Sequence, residues 1–281
     1  MQLETKIYQK ENNLKIGMLL KATATDLFRS HFLAKQLATR DITSQYRQSY
    51  LGIIWAFITP ISSAFVWIFL NATGTINLSD TGVPYPVFVF SGTLIWSIIT
   101  ESINSPASNT NAARGMMTKI NFPKEALVLS GIYKLLFNSA IKIGLLIALI
   151  FGFGIGFHWS LLLFPIAIVA AILFGTTIGL FITPISLIYN DISKIFSMGL
   201  SLLMYVTPVV YAIPKEGIMK TIMELNPFTA LILTARDLAL GTTPNYLNYF
   251  FWIFAASAAL FFIGLLFYRI SIPIIVERLS S

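Results

Sequence analysis

The chain has 281 residues, of which 56% are apolar and only 11% charged, with a formal net charge of +7. A soluble domain normally carries about 25% charged residues, so this chain cannot clothe a globule in hydrated side chains, and its outer surface must face lipid. The length admits one membrane domain of several spans and no further soluble domain of ordinary size, and the absence of cysteine excludes disulfides and thiolate metal sites.

Residues 1–50 read as a cytosolic N-terminal segment. Its start holds Lys6, Lys10, Glu11, Lys15 and Lys21 and lacks the apolar core and cleavage site of a secretory signal, so the chain is expected to keep it. Residues 26–49 predict an amphipathic helix. At about 100° per residue, Leu27, Phe28, Phe32, Ala34, Ala38, Ile42 and Tyr46 fall on one side and Arg29, Gln36, Arg40 and Arg47 on the other. Lys35 sits within the apolar side, where its stem can snorkel. Such a helix lies at the membrane interface, either as an anchor or as a moving gate beside a transport path.

Six apolar stretches are long enough, or nearly so, for a hydrocarbon core that takes roughly 20 helical residues to cross. They are 51–70, 85–103, 130–157, 161–189, 195–213 and 248–268, which makes 51–268 a six-span all-α domain with a tail at 269–281. None shows the alternation of a barrel strand, and unpaired backbone cannot face lipid, so these are helices. Pro60 and Pro208 are expected to kink the first and fifth.

The connection 104–127 holds Arg114, Met117, Lys119, Phe122, Pro123 and Glu125. A short helix is expected over 112–120, and a new helix begins near Pro123, with Glu125 placed against its N-terminal dipole. Mixed apolar and basic residues on a loop of this length suit a docking surface. Lys134, Asn138 and Lys142 share one face of the third span. Charges at that depth must face protein, water or headgroups; Lys134 is expected to snorkel, and Lys142 is a candidate binding residue. Between the last two spans, 218–225 and 228–240 flank Asn226-Pro227 and read as a re-entrant hairpin dipping in from outside. The alternative, a seventh span, would put the tail outside.

Lys and Arg choose the orientation. Residues 1–50, the connection 104–127, Lys194 and the tail hold most of the cations, against Lys215, Lys220 and Arg236 on the other side. Both termini are therefore expected in the cytosol. The basic excess is a topology signal with a secondary attraction to anionic membrane lipid, not a nucleic-acid site.

Enzyme chemistry is missing. His31 and His158 stand alone, and there is no phosphate-cradling Gly-x-x-x-x-Gly-Lys-Ser/Thr loop, metal-spaced His/Glu pair or Gly-x-Ser-x-Gly elbow. The spans carry almost no carboxylates, Glu101 near the end of the second being the exception, whereas a secondary transporter usually places such residues at the midplane. If the chain moves something, its energy is expected from another chain.

The run Tyr46-Arg47-Gln48-Ser49-Tyr50-Leu51-Gly52-Ile53-Ile54-Trp55-Ala56-Phe57-Ile58-Thr59-Pro60 resembles the lead-in to the first span of permeases of bacterial polysaccharide ABC exporters, which serve O-antigen, capsule and teichoic acid export. Lys119-Ile120-Asn121-Phe122-Pro123-Lys124-Glu125 is similar to the Phe-Pro-x-Glu segment of that family before its third span. Tyr189-Asn190-Asp191-Ile192, Thr207-Pro208-Val209-Val210-Tyr211 and Leu225-Asn226-Pro227-Phe228 resemble its fourth-to-fifth junction, fifth span and outer re-entrant segment. Asn190 departs from the Arg that many members carry there, which puts in doubt an ion pair at that junction.

The resemblance implies the transmembrane subunit of a type-2 ABC exporter in the bacterial cytoplasmic membrane. It implies a homodimer bound to two copies of a separate ATPase, with ATP and Mg²⁺ on that partner and no cofactor or metal on this chain. A lipid-linked polysaccharide would pass at the dimer interface. Candidate channel residues are Trp55, Ser62, Phe65 and Phe69 on the first span and Tyr205 and Tyr211 on the fifth, since sugar rings stack on aromatic faces. Gate-helix candidates are Arg40, Tyr46, Arg47 and Tyr50; docking candidates are Arg114, Met117, Lys119, Phe122, Pro123 and Glu125. The rivals are a related permease for a drug or simple lipid, and a membrane-embedded transferase acting on lipid-linked sugars.

Overall fold

Apolar length carries through directly into helices. In the computed structural model, which describes residues 16–47, 50–75, 81–120 and 122–280, all regular structure among the described residues is helical. The polar start 1–15, Gln48 and Ser49 of the predicted amphipathic run, and Asn121 of the docking loop lie outside the described residues. Helices α1 (Ile16–Arg29) and α2 (His31–Arg47) precede α3 (Trp55–Ala72), α4 (Tyr85–Ala112), α5 (Arg114–Met117), α6 (Glu125–Gly152) and α7 (Phe164–Ile188). Then come α8 (Asn190–Leu203), α9 (Ile218–Leu225), α10 (Pro227–Leu240) and α11 (Leu247–Ser280).

Five segments among the described residues are long and apolar enough to cross a bilayer: Gly52–Ala72, Tyr85–Ala112, Glu125–Gly152, Phe164–Ile188 and Leu247–Glu277. The stretch expected as a fifth of six spans, 195–213, is instead interrupted. Its helix α8 has 14 residues, about 21 Å at 1.5 Å per residue, well short of a ~30 Å core. A 3-10 turn over Met204–Val206 follows, and Thr207 is extended at φ −128 and ψ 137. Pro208 accounts for the break, because it has no N–H to continue the ladder and disfavours helical backbone at the residue before it. Pro60 acts more mildly and lies inside α3, which continues to Ala72.

Helix α4 is the hub. In its most apolar stretch 78% of residues are buried, against 6% in the first crossing segment. It packs closely on α7, where Gly175 and Gly179 lie one turn apart. A Cβ at Gly175 would come within 2.6 Å of the Ser102 Cβ and 2.7 Å of the Ile99 carbonyl oxygen, so the two small residues permit the close backbone approach that membrane helix pairs favour. Helix α4 also runs beyond the expected end at 103 to Ala112, which shortens the connection to α6.

The expected single amphipathic helix is two. Ser30 divides α1 from α2, and its hydroxyl donates to the Asp26 carbonyl at 2.5 Å, a back-bond that bends helices. Its apolar side splits. Ala34, Leu37 and Ala38 are buried, with α2 packed on α6, while Phe28 and Phe32 are exposed. The turn between α9 and α10 forms where Asn226-Pro227 placed it: the Asn226 Oδ1 accepts from the Phe228 N–H at 3.0 Å and Gly241 ends α10 at φ 77.

Candidate functional site: a polar cavity among four helices

Two polar stripes face each other across an otherwise apolar bundle. On α4, Ser97, Glu101, Ser105 and Asn109 recur every four residues; on α6, Lys134, Asn138 and Lys142 do the same. Four-residue spacing puts each set on one helix face. Lys142 is buried and donates to the Ser97 hydroxyl at 3.0 Å and to the Glu101 carboxylate. Lys134 donates to the Asn109 side-chain oxygen and to Asp41 of α2 at 3.1 Å. Both lysines therefore have partners within the chain, Lys134 pairing with Asp41 of the helix expected at the membrane interface. Lys142 is the buried member of its pair, while Glu101, Lys134 and Asp41 keep partial exposure, so matching and hydrogen bonds matter most at Lys142.

These residues line a cavity of about 560 Å³ enclosed by α2, α3, α4 and α6. Helix α3 contributes Trp55, Thr59 and Ser63, again at four-residue spacing, and α2 contributes Gln45 and Tyr46. Tyr46 donates to the Asn138 side-chain oxygen at 3.3 Å. Burial first, and then the charge of Glu101, push its phenol above the ordinary value, which keeps it protonated as a donor.

Of the channel candidates, Trp55 lines this cavity; Ser62, Phe65 and Phe69 are exposed on another side of α3, the two phenylalanine rings stacked with centroids 6.3 Å apart. Tyr205 is exposed and Tyr211 donates to its carbonyl. The two aromatic groups are not gathered within one chain: α3 packs on α4 and α6, whereas α8, which leads to Tyr205, packs on α7. Among the gate candidates Tyr46 reaches the cavity, Arg40 pairs with Asp41 at 2.7 Å, and Arg47 and Tyr50 are exposed.

The docking candidates divide. Lys119 and Pro123 are exposed, Phe122 is half-buried beneath the Lys124 ammonium at 4.4 Å, and Arg114 is half-buried, donating to the Leu187 carbonyl at 3.4 Å. Met117 and Glu125 cannot serve as surface contacts as expected. Met117 sits in the core with Leu127 and Tyr268, and Glu125 is buried against Arg269, which donates to it at 2.9 Å and also pairs with Asp26 at 2.8 Å. That ion cluster ties α1, α6 and α11 together. Arg236, read as an outer-side cation, is also buried: it donates to the carbonyls of Pro208 and Val209 and lies 3.8 Å from the centroid of Phe88. It therefore satisfies the carbonyls that the break at Pro208 leaves without helical partners.

Sequence reasoning placed Lys134, Asn138 and Lys142 on one face of a helix but did not find their partners Asp41, Ser97, Glu101 and Asn109. The available signal was rare charges of opposite sign within apolar stretches, Glu101 in the second and Lys134 and Lys142 in the third.

Known proteins place this architecture. Residues 33–240 match the family described as ABC-2 type transporter. The chain is 27% identical over 210 residues to the O-antigen export system permease protein RfbA of Myxococcus xanthus, which covers 74% of this chain and 80% of that protein. It is 24% identical over 218 residues to the protein of the same name from Klebsiella pneumoniae, covering 75% and 81%. Because the family match runs from α2 through α10 and takes in the cavity, the broken segment and the α9–α10 turn, the chain belongs to the ABC-2 type transporter family.

Proposed function

We propose that this chain is the membrane subunit of an ATP-driven exporter that carries a lipid-linked polysaccharide of the O-antigen class across the cytoplasmic membrane. The observation that carries this reading is the likeness to O-antigen export permeases over about three quarters of the chain and four fifths of the relatives. Capsule and teichoic acid polymers are chemically similar cargo. A drug or simple-lipid exporter is the second reading, favoured by the absence of charged residues along the exposed face of α3.

In this reading the broken segment 190–213 makes a sixth crossing, α9 and α10 dip in from outside, and both termini are cytosolic, as the Lys and Arg distribution requires. Two copies pair through the apolar faces left uncovered on α3 and α8. That pairing would bring Phe65 and Phe69 of one copy toward Tyr205 and Tyr211 of the other, lining a channel on which sugar rings slide. The separate ATPase holds ATP and Mg²⁺ and docks at the loop around Lys119 and Pro123. Its closure acts on α1 and α2, whose contacts through Asp26–Arg269–Glu125 and Asp41–Lys134 pass motion to α11 and α6. The chain itself binds no nucleotide.

The test is co-purification with the ATPase followed by ATP-dependent movement of lipid-linked glycan in vesicles. ATP hydrolysis without glycan on the far side would remove the reading's main support, and drug or lipid movement instead would favour the second one.

A further inference from the structure

The cavity among α2, α3, α4 and α6 holds about 560 Å³, inside the range of about 300–1,000 Å³ usual for ligand sites. Thr59, Ser63, Thr93, Ser97 and Thr100 each give their hydroxyl proton to a carbonyl of their own helix. A helical Ser or Thr bonded back in this way offers only its lone pairs to whatever faces it. These hydroxyls therefore face the cavity as acceptors, while the Gln45 and Asn138 amides and the Trp55 indole add donors, a mixed wall that matches a hydroxyl-rich ligand. The cavity's cations are already matched, Lys134 by Asp41 and Lys142 by Glu101.

An anion such as pyrophosphate brings acceptors alone, so it would meet acceptors and neutralised lysines. A neutral sugar brings several O–H donors and no charge. Trp55 and Tyr46 complete the wall with amphipathic rings, against which the C–H face of a pyranose packs.

We propose that this cavity, lined by four helices of one chain, binds an uncharged glycosyl unit. Only the source of the sugar depends on the export reading: it is either a unit of the transported glycan or the headgroup of a glycolipid.

The chain has no cysteine, so single-cysteine variants report directly. Ser63→Cys and Thr100→Cys probe the cavity, and Thr243→Cys, exposed in the connection between α10 and α11, serves as control. Each full-length variant, with its ATPase in lipid nanodiscs, is labelled with a small methanethiosulfonate reagent. The probes are free neutral trisaccharides of gluco, manno, galacto and rhamno configuration, glucuronate-containing counterparts, and inorganic pyrophosphate. A further arm uses nanodiscs containing monoglucosyl diacylglycerol.

At least one neutral probe should slow labelling at both cavity positions, by about threefold at roughly twice its Kd because the open fraction falls as 1/(1 + [L]/Kd), and leave the control unchanged. Protection by free trisaccharide assigns a glycan unit, and protection by the glycolipid alone assigns a headgroup; either supports the proposal. Equal or stronger protection by glucuronate or pyrophosphate would overturn it, as would protection by no probe or equal protection of the control. Glu101→Gln should then shift protection toward the acidic probes, and an unchanged preference would refute the charge-matching argument. No transport is required, so failure here and failure of the vesicle assay are separate results.

Discussion

Arg269 should tolerate replacement far less well than its buried partner. The Glu125 side chain is 2% exposed, while Arg269 and Asp26 are each 29% exposed. Arg269→Met strands the Glu125 carboxylate in a dry pocket at the foot of α6, and removing one partner of a buried pair costs about 3–5 kcal/mol. Glu125→Gln is milder, because Arg269 keeps Asp26 at 2.8 Å and stays partly hydrated, so a loss of about 1 kcal/mol is expected. The double variant leaves no unmatched buried charge and should recover on the order of 2 kcal/mol relative to Arg269→Met alone; with the loss of about 1 kcal/mol for Glu125→Gln this is a coupling of about 3 kcal/mol, at the upper end for touching residues. Thermal melts of the purified chain in detergent read these differences at roughly 2–4 °C per kcal/mol. Arg269→Met should therefore fall on the order of 10 °C below the parent, with Glu125→Gln and the double variant between them. Equal losses for the two single variants, or simple additivity in the double, would refute the claim that Glu125 is held charged and buried by Arg269.

Gly92→Ala should destabilise by about 1–3 kcal/mol in the same melts, the usual cost of overpacking, because its Cβ would collide with the Val209 carbonyl and the Arg236 guanidinium; Gly199→Ala, with nothing within 4 Å, should be neutral or stabilising. Asn226→Ala should lose about 1–2 kcal/mol, since the side chain caps α10 and also donates to the Val206 carbonyl at 3.2 Å and the Thr207 hydroxyl at 2.9 Å; an unchanged melting temperature would mean that the cap does not hold the break. Lys119→Glu, on an exposed residue, should weaken ATPase association in a pull-down while leaving the melt of the chain unchanged. Unaltered association would move the docking contact elsewhere, such as the N-terminal segment.

The helical skeleton was legible because lipid imposes it. Long apolar runs must close their own hydrogen bonds, so five crossing helices followed from hydropathy alone. The α9–α10 turn was legible for a different reason: Asn226-Pro227 and Gly241 are local signals whose chemistry acts within a few residues. The fifth expected span shows where hydropathy misleads. Residues 195–213 are apolar enough to be read as one helix, yet Pro208 removes a donor and sets Thr207 extended, and hydropathy does not register a missing N–H. What makes that break tolerable lies outside the segment, in Arg236 of α10, whose guanidinium takes up the stranded carbonyls of Pro208 and Val209.

The cavity was illegible for the complementary reason. Its pairs are remote, Lys142 and Glu101 lying 41 positions apart in sequence and Lys134 and Asp41 93 positions apart. Each lysine read alone has a cheap local solution, snorkelling to the interface, and nothing in its own helix contradicts that. Only the antiparallel packing of α4 on α6 shows that two four-residue stripes meet. The same geometry shifts the informative face of α3: Ser62, Phe65 and Phe69 look outward, while Thr59 and Ser63 join Trp55 at the cavity. A one-residue change of register on a helix turns the face by about 100°, which separates a wall that meets lipid or a second copy from one that meets a polar ligand. Aromatic content alone therefore could not say where sugar would bind. Hydroxyls that have already spent their protons on their own helix, beside lysines whose charge is already matched, make a more selective wall than rings do, because they favour a neutral donor-rich ligand and disfavour an anion.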